Sequence, residues 1–161
     1  MIDITTYRDK YLSQIIELIL TIQQKEFNIP VTLEAQPDLQ QIPEIYQTGK
    51  GNFWVALHDD QPVGTIGLID IGDNTGVIRK MFVQAEYRGK VYKVAYQLLQ
   101  ALMEWATRNE MKNLFLGTVE QLQASHRFYE KNGFTRIPME ELPGQFPRMK
   151  VDTIFYQYAI N

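Results

Sequence analysis

The sequence contains no cysteine and only two histidines, His58 and His126. The absence of cysteine rules out disulfide bonds, thiolate metal sites and any catalytic step through a cysteinyl intermediate. Neither histidine has a second metal-binding side chain at a ligand-like spacing, and we interpret both as surface or helix-face side chains. We therefore predict that the protein uses no metal.

Long apolar runs and an excess of basic charge are also missing. The longest apolar stretch near the N-terminus, residues 15–22, is interrupted by Glu17 and has no basic leader, which argues against a signal peptide and a membrane span. The net charge is −3, and the basic residues are dispersed apart from one cluster, which argues against a general nucleic-acid surface. We expect a cytoplasmic protein without membrane or nucleic-acid partners.

The overall composition is that of an ordinary globular domain. Hydrophobic residues make up 45% of the 161 residues and charged residues 22%, which excludes a disordered chain and an integral membrane protein. The length allows one proper core but not two ordinary domains. Since the chain contains no repeat, low-complexity tract or linker, we predict a single domain over residues 1–161.

Hydrophobic periodicity predicts alternating strands and helices. Helices are predicted over residues 11–24 and 121–131, with a long central helix between them whose packing face is Val91, Val94, Ala95, Leu98, Leu102, Trp105 and Ala106. Strands are predicted over residues 2–6, 53–57, 63–69, 77–83, 114–116, 135–138 and 151–160. Residues 53–83 should form three antiparallel strands, and residues 114–116 should pair parallel to residues 77–83 through a βαβ crossover.

Residues 87–94 carry the strongest functional signal. They open the central helix, where the first backbone N–H groups have no intrahelical acceptor and the peptide dipoles leave partial positive charge. A diphosphate could bind there mainly through main chain, assisted by Arg88, Lys90 and Lys93. The spacing matches neither a Walker loop nor the three-glycine dinucleotide fingerprint, so it indicates a different phosphate-bearing cofactor. The alternative is a solvated cationic helix start.

A second segment, residues 125–134, is typical of the end of a short helix. Asn132 and Gly133 end the helix, and an aromatic residue of the next strand follows them. Together the two segments resemble the GCN5-related N-acetyltransferase (GNAT) superfamily, and the resemblance covers essentially the whole chain. It implies an α/β (α+β) acyl-CoA N-acyltransferase fold with a mixed, mostly antiparallel, splayed sheet flanked by helices. It also implies an enzyme, an N-acetyltransferase that depends on acetyl-CoA.

The resemblance assigns roles to particular residues. Tyr129 is the implied catalytic acid, which protonates the departing thiolate, although it could instead be a core aromatic beside Phe128. The fourth strand is expected to splay from the fifth, so that its free N–H groups bind the pantetheine arm and polarise the thioester carbonyl. The residues implied to bind acetyl-CoA, the acyl-donor cosubstrate, are Met81, Phe82, Val83, Arg88, Gly89, Lys90, Val91, Tyr92, Lys93 and Val94.

Several positions depart from the superfamily pattern. Val91 and Lys93 stand where small residues are usual, and a β-branched valine could crowd the phosphate. Val77 stands where many relatives carry a glutamate, so no general base is evident. Glu120 or a water relay to another carboxylate could substitute, although Glu120 is interpreted as a surface residue. Leu122 stands where relatives often have asparagine.

The acceptor is expected to be a small primary amine that attacks the thioester directly in a ternary complex. Two alternatives stay open: a protein or peptide acceptor, and a non-catalytic acyl-CoA-binding regulatory module. Glu26, Glu34, Asp38 and Asp152 could pair with a cationic amine, but we interpret each as a solvated charge. Homodimers are common in the superfamily, although no sequence feature demands one.

The loop over residues 140–149 has two interpretations. Two prolines and a glycine shape it, and Phe146 presents apolar surface beside the final strand. The loop either closes over the acceptor or is a packed connection that buries Phe146.

Overall fold

The sheet contains seven strands in the order β1-β2-β3-β4-β5-β7-β6 in the computed structural model, which describes residues 1–161. The strands are β1 Ile2–Thr6, β2 Asn52–His58, β3 Gln61–Gly72, β4 Thr75–Val83, β5 Asn113–Thr118, β6 Thr135–Ile137 and β7 Ile154–Ala159. Every neighbouring pair is antiparallel except β4 and β5, which are parallel. The predicted mixed, mostly antiparallel sheet and the parallel crossover are confirmed.

Helices cover both faces of this sheet. They are α1 Leu12–Leu20, which continues into a π-helical turn Thr21–Glu26, then α2 Ile42–Ile45, α3 Val94–Arg108 and α4 Gln123–Lys131. None of these helices has the length and apolar character needed to cross a lipid bilayer.

Strand β2 shows why the sheet needs helices on both sides. Trp54 and Ala56 belong to the core cluster that contains the apolar face of α3, whereas Phe53, Val55 and Leu57 belong to the cluster that contains α1. Successive side chains of a strand point to opposite faces, so a continuous apolar run requires cover on both. The run of apolar residues in β2 is therefore buried between the helices on the two faces of the sheet.

Helix α3 begins at Val94, later than the sequence pattern predicted. Lys93, the residue before it, has a left-handed backbone with φ 52°, which a right-handed helix cannot contain. Val91 lies in the preceding turn and is 88% exposed. Its assignment to the packing face of the helix was therefore wrong.

Strands β4 and β5 separate after a short stretch of pairing. Strand β4 pairs with β3 as far as Val83, but its pairing with β5 consists of three residue pairs and ends at Val77 opposite Phe115. Beyond Val77, the edge of β4 that faces β5 has no strand partner. The predicted splay is confirmed.

A bulge in β4 accompanies the separation. Thr65 of β3 pairs with Phe82 and Gly67 pairs with Arg79, so Lys80 and Met81 together oppose a single β3 residue. Lys80 has a left-handed backbone with φ 56°, and its carbonyl oxygen accepts a hydrogen bond from Thr65 Oγ1 at 2.6 Å. Because a bulge bends its strand and increases the local twist, it turns β4 away from β5 at this point.

Candidate functional site

A cavity of about 650 Å³ lies between the end of β4, the turn before α3 and the start of α4. We call it the turn cavity. The predicted binding residues that line it are Met81, Phe82, Val83, Arg88, Gly89, Lys90 and Lys93. Three further lining residues, Phe27, Tyr96 and Phe128, were not predicted from the sequence. They belong to segments far apart in the chain, which come together only where the sheet opens.

Three predicted binding residues do not line the turn cavity with their side chains. Val94 is buried in the main core, and Val91 points to solvent. Tyr92 packs against Tyr87 and His58, with ring centroids 5.0 and 5.7 Å away. Any contribution of Val91 or Tyr92 to binding would therefore come from the main chain.

The main chain around the turn has an unusual number of free donors. Within residues 89–96, only the N–H of Lys93 donates a hydrogen bond inside the protein, to the carbonyl oxygen of Gly89 at 3.3 Å. The unpaired N–H groups of the turn thus run directly into those of the first turn of α3. Such a donor array at a helix N-terminus fits a phosphate group.

Arg88 is already engaged within the protein. Its Nη2 donates to Glu26 Oε1 at 2.8 Å, its Nη1 pairs with the other oxygen of Glu26, and its Nε donates to the carbonyl oxygen of Val83 at 2.8 Å. The guanidinium also lies over the ring of Phe27, 5.6 Å from its centroid. Glu26 is exposed, as expected, but it is paired with Arg88, which holds the turn against the π-helical segment and β4. Lys90 and Lys93 are the other two exposed cations of the turn.

A second cavity of about 90 Å³ lies in the opening between β4 and β5, and we call it the bulge cavity. Arg79 and Lys80 line it from β4, Gly117 and Thr118 from β5, and Asp152 from the segment before β7. Four residues line both cavities: Met81, Phe82, Leu122 and Ser125. The two cavities therefore meet between the bulge of β4 and the start of α4.

Tyr129 lines the bulge cavity from the buried face of α4 and is 4% exposed. Its ring packs against Phe134 and Tyr156, with centroids 5.3 and 6.0 Å away. Burial raises the pKa of the phenol above its ordinary value. Tyr129 is thus both a core aromatic and a neutral hydroxyl beside the cavity. The ordinary pKa values of a phenol and a thiol are close, but the raised pKa of Tyr129 removes this match.

Sequence reasoning missed a group of buried charges at the bulge. The side chain of Lys80 is 3% exposed, and its Nζ donates to Gln36 Oε1 at 2.6 Å and lies 3.6 Å from Asp38 Oδ2. Arg79 Nη2 lies 3.9 Å from Asp38 Oδ1. Burial lowers the pKa of Lys80 to about 8, although the negative charge of Asp38 acts in the opposite direction.

The expected solvation holds for Glu26 and Glu34 but not for the two aspartates. Glu34 is exposed, as predicted, whereas Asp38 is 7% exposed and accepts a hydrogen bond from the Tyr46 hydroxyl at 2.5 Å. Asp152 is half-buried, and desolvation raises the pKa of its carboxyl group although Arg79 and other groups oppose the change. The interpretation of Asp38 and Asp152 as solvated charges was therefore wrong.

Asp152 replaces Glu120 as the carboxylate nearest the opening between the strands. Glu120 is exposed and lines neither cavity. A Cβ atom placed on Gly117 would approach Asp152 Oδ2 to 2.7 Å, which shows that this carboxylate lies directly against the bare backbone of β5.

The loop that carries Phe146 combines features of both predictions made for it. Phe146 lines the bulge cavity, and its ring also packs edge-on against Phe155 with centroids 6.0 Å apart. Phe146 is half-buried, so it forms a wall of the cavity while remaining attached to the core.

The chain is similar to known acetyltransferases in both sequence and structure. The family model described as Acetyltransferase (GNAT) family matches residues 16–134. The crystal structure of an acetyltransferase of the GNAT family from Staphylococcus aureus Mu50 is 36% identical, with a TM-score of 0.97 and coverage of 100% of both chains. An acetyltransferase structure from Streptococcus agalactiae 2603 is 32% identical, with a TM-score of 0.94 over 99% of this chain and 98% of that one.

Among curated proteins, the N-acetylaspartate synthetase of Danio rerio is 34% identical over 125 residues. The match covers 74% of this chain and 43% of that protein. The chain thus spans less than half the length of this curated relative.

Proposed function

Because the chain belongs to the acetyltransferase (GNAT) family, we propose that it transfers the acetyl group of acetyl-CoA to the primary amine of a small molecule by direct attack in a ternary complex. The observation that carries this proposal is the meeting of two cavities at the opening between β4 and β5. The larger one has a donor array for phosphate, and the smaller one has buried charges and a tyrosine.

On this proposal, the turn cavity binds the donor. The unpaired N–H groups of residues 89–96 bind the diphosphate, and the ammonium groups of Lys90 and Lys93 add charge. Arg88 acts through Glu26 and Val83 by holding the turn in place. Met81, Phe82 and Val83 form an apolar wall for the pantetheine arm, and the unpaired edge of β4 offers N–H groups to the thioester carbonyl.

The bulge cavity is proposed to bind the acceptor. When acetyl-CoA is bound, it supplies an activated acyl group as a thioester. The amine lone pair forms the new C–N bond while the C–S bond breaks, and Tyr129 gives its phenolic proton to the leaving sulfur. Burial disfavours a thiolate as it disfavours a phenolate, so the raised pKa of the phenol does not by itself oppose proton transfer to the sulfur in this desolvated site.

Asp152 is the proposed acceptor of the proton that the amine loses. It lines the bulge cavity against the backbone of β5, and its raised pKa makes it a stronger base than an ordinary carboxylate. This assignment supplies the base that Val77, at the usual glutamate position, does not provide.

The size of the bulge cavity supports a small-molecule acceptor over a protein. At about 90 Å³ it has room for a compact amine, and the loop that carries Phe146 forms one of its walls. The name of the Danio rerio relative also refers to an acetylated amino acid.

The proposal is tested by thiol release from acetyl-CoA with a panel of amino acids, polyamines, other amines and peptides. We expect release that depends on a small amine and that falls in Tyr129→Phe but not in the control Tyr158→Phe, a tyrosine of β7 that lines neither cavity. Binding of CoA without release by any acceptor would instead identify an acyl-CoA-binding module. Release with peptides alone would identify a protein acetyltransferase.

A further inference from the structure

The bulge in β4 places two consecutive cations beside the same cavity. In a regular strand, neighbours such as Arg79 and Lys80 point to opposite faces of the sheet. Here the left-handed backbone of Lys80 breaks this alternation, so that both side chains line the bulge cavity and both lie within 4 Å of Asp38, at 3.9 and 3.6 Å. The irregular conformation of the strand therefore brings two positive charges together.

The charge of Lys80 is only partly compensated. An ammonium group has three N–H donors, and Gln36 Oε1 is the one oxygen within hydrogen-bond distance of Nζ, at 2.6 Å. Asp38 Oδ2 lies 3.6 Å away and already accepts a hydrogen bond from Tyr46. The remaining neighbour is the sulfur of Met149 at 3.9 Å. Burial lowers the pKa of Lys80 because its effect outweighs the attraction of Asp38.

Gln36 is held in place independently of Lys80. Its side-chain amide forms a reciprocal pair with that of Gln23, with distances of 3.0 and 2.8 Å. This pair fixes the Gln36 oxygen beside Lys80 and thereby limits where the ammonium group can lie. Lys80 is therefore a positioned donor at the cavity and not a flexible surface lysine.

The buried and half-buried charges at the bulge balance in the free protein but not with an amine bound. Arg79, Lys80 and Asp152 line the cavity, and Asp38 lies behind the two cations, within 4 Å of both. When Asp152 pairs with an acceptor ammonium or takes its proton, Asp152 no longer compensates the two cations. One positive charge of Arg79 and Lys80 is then left without a counter-ion. Burying an unpaired charge is costly, so a single negative group on the acceptor would restore the balance.

We propose that the acceptor carries a carboxylate as well as its amine, and that Lys80 and Arg79 bind this carboxylate at the bulge of β4. This inference rests on the proposed function, since it identifies the chemical class of the acceptor. The acceptor is then an amino acid, held by its ammonium end at Asp152 and by a carboxylate at the two cations. Lys80 acts in substrate selection and has no part in the proton transfers.

The experiment compares acceptors that differ only in the carboxylate. Thiol release from acetyl-CoA is measured for L-aspartate, L-glutamate and L-alanine, for every carboxamide derived from them, and for ethylamine, putrescine and spermidine. We expect kcat/KM for the best amino acid to exceed that of every carboxylate-free amine by at least about tenfold, since a site built for a polar group rejects analogues that lack it. In Lys80→Met and Lys80→Gln the ratio of kcat/KM for the amino acid to that for the amines should fall at least about fivefold. The fall should come mainly from a higher KM for the amino acid.

The controls separate selection from folding. CoA affinity and thermal unfolding are measured for each variant, and Lys112→Met, an exposed lysine outside both cavities, should leave the preference unchanged. Equal activity toward amines and amino acids in the native protein would overturn the inference while leaving the proposed function in place. A uniform loss of activity toward all acceptors in both Lys80 variants would also overturn it.

A different result would separate the inference from the proposed function. If the native protein acetylates nothing, the proposed function fails, and calorimetry with the same amino acids and amides in the presence of CoA decides the inference. Binding of amino acids that disappears in Lys80→Met would support it. Absence of binding, or equal binding of the amides, would contradict it.

Discussion

Replacement of Lys80 by methionine should make the protein more stable at neutral pH while impairing its selection of acceptors. Lys80 is buried with its charge only partly compensated, and its pKa falls from 10.5 to about 8. A fall of this size corresponds to about 3 kcal/mol by which the folded state disfavours the protonated lysine. Methionine has a similar length and no charge, and the oxygen of Gln36 keeps its hydrogen bond from Gln23. We expect the free energy of unfolding at pH 7 to rise by about 1–3 kcal/mol, or roughly 2–4 °C in Tm for each kcal/mol.

The pH dependence of this gain identifies its cause. Between pH 8 and 10.5 the unfolded chain keeps the Lys80 proton while the folded protein loses it, so the native protein gains stability as the pH rises. The advantage of the variant should therefore be complete below pH 8 and should disappear by about pH 10.5. The groups that face Lys80 are Asp38, Arg79 and Asp152.

Urea unfolding of the native protein, Lys80→Met and Lys112→Met at several pH values between 7 and 10.5 measures this difference directly. The exposed lysine serves as the matched control, and its replacement should change stability little at any pH. A loss of stability at pH 7 in Lys80→Met, or a difference that does not vary with pH, would refute the reasoning. In that case Lys80 would be an ordinary member of a stabilising ion-pair network.

Three further predictions concern the reaction itself. Tyr129→Phe should lower turnover about ten- to a thousandfold with little change in acetyl-CoA affinity; full turnover with every acceptor would remove Tyr129 from the mechanism. Asp152→Asn should lower kcat and abolish the acid limb of the kcat/KM pH profile, which lies above the range of an ordinary aspartate because desolvation raises the pKa of Asp152; a retained acid limb would assign it to another group. Phe146→Ala should raise KM for the acceptor without changing CoA affinity; loss of folding instead would show that Phe146 is chiefly a core residue, and an unchanged KM would exclude it from the acceptor site.

The elements that follow simple periodicity were predictable from the sequence. The apolar run of β2, the hairpin that it forms with β3 and the parallel pairing of β5 with β4 depend on local residue patterns and on general rules of chain connection. Unpaired N–H donors beside α3 were also predicted, because such groups arise at every helix N-terminus, but the helix begins at Val94 and not within the turn as expected.

The residues of the bulge cavity could not be predicted in the same way. A bulge at Lys80 depends on a left-handed backbone in a lysine, which has no local sequence signature, and without it Arg79 and Lys80 would lie on opposite faces. The one available signal was the presence of two adjacent cations inside an otherwise apolar strand. The burial of Asp38 and the pairing of Glu26 with Arg88 depend on contacts between segments distant in the sequence.

We propose that the turn before α3 and the opened edge of β4 together bind the donor. An amide-resolved NMR titration with CoA tests this claim most directly, because it reports on the individual N–H groups. We expect saturable binding, with the largest shifts in the N–H signals of residues 89–96 and 81–83. Absence of binding at millimolar CoA, or shifts confined to other parts of the protein, would contradict it.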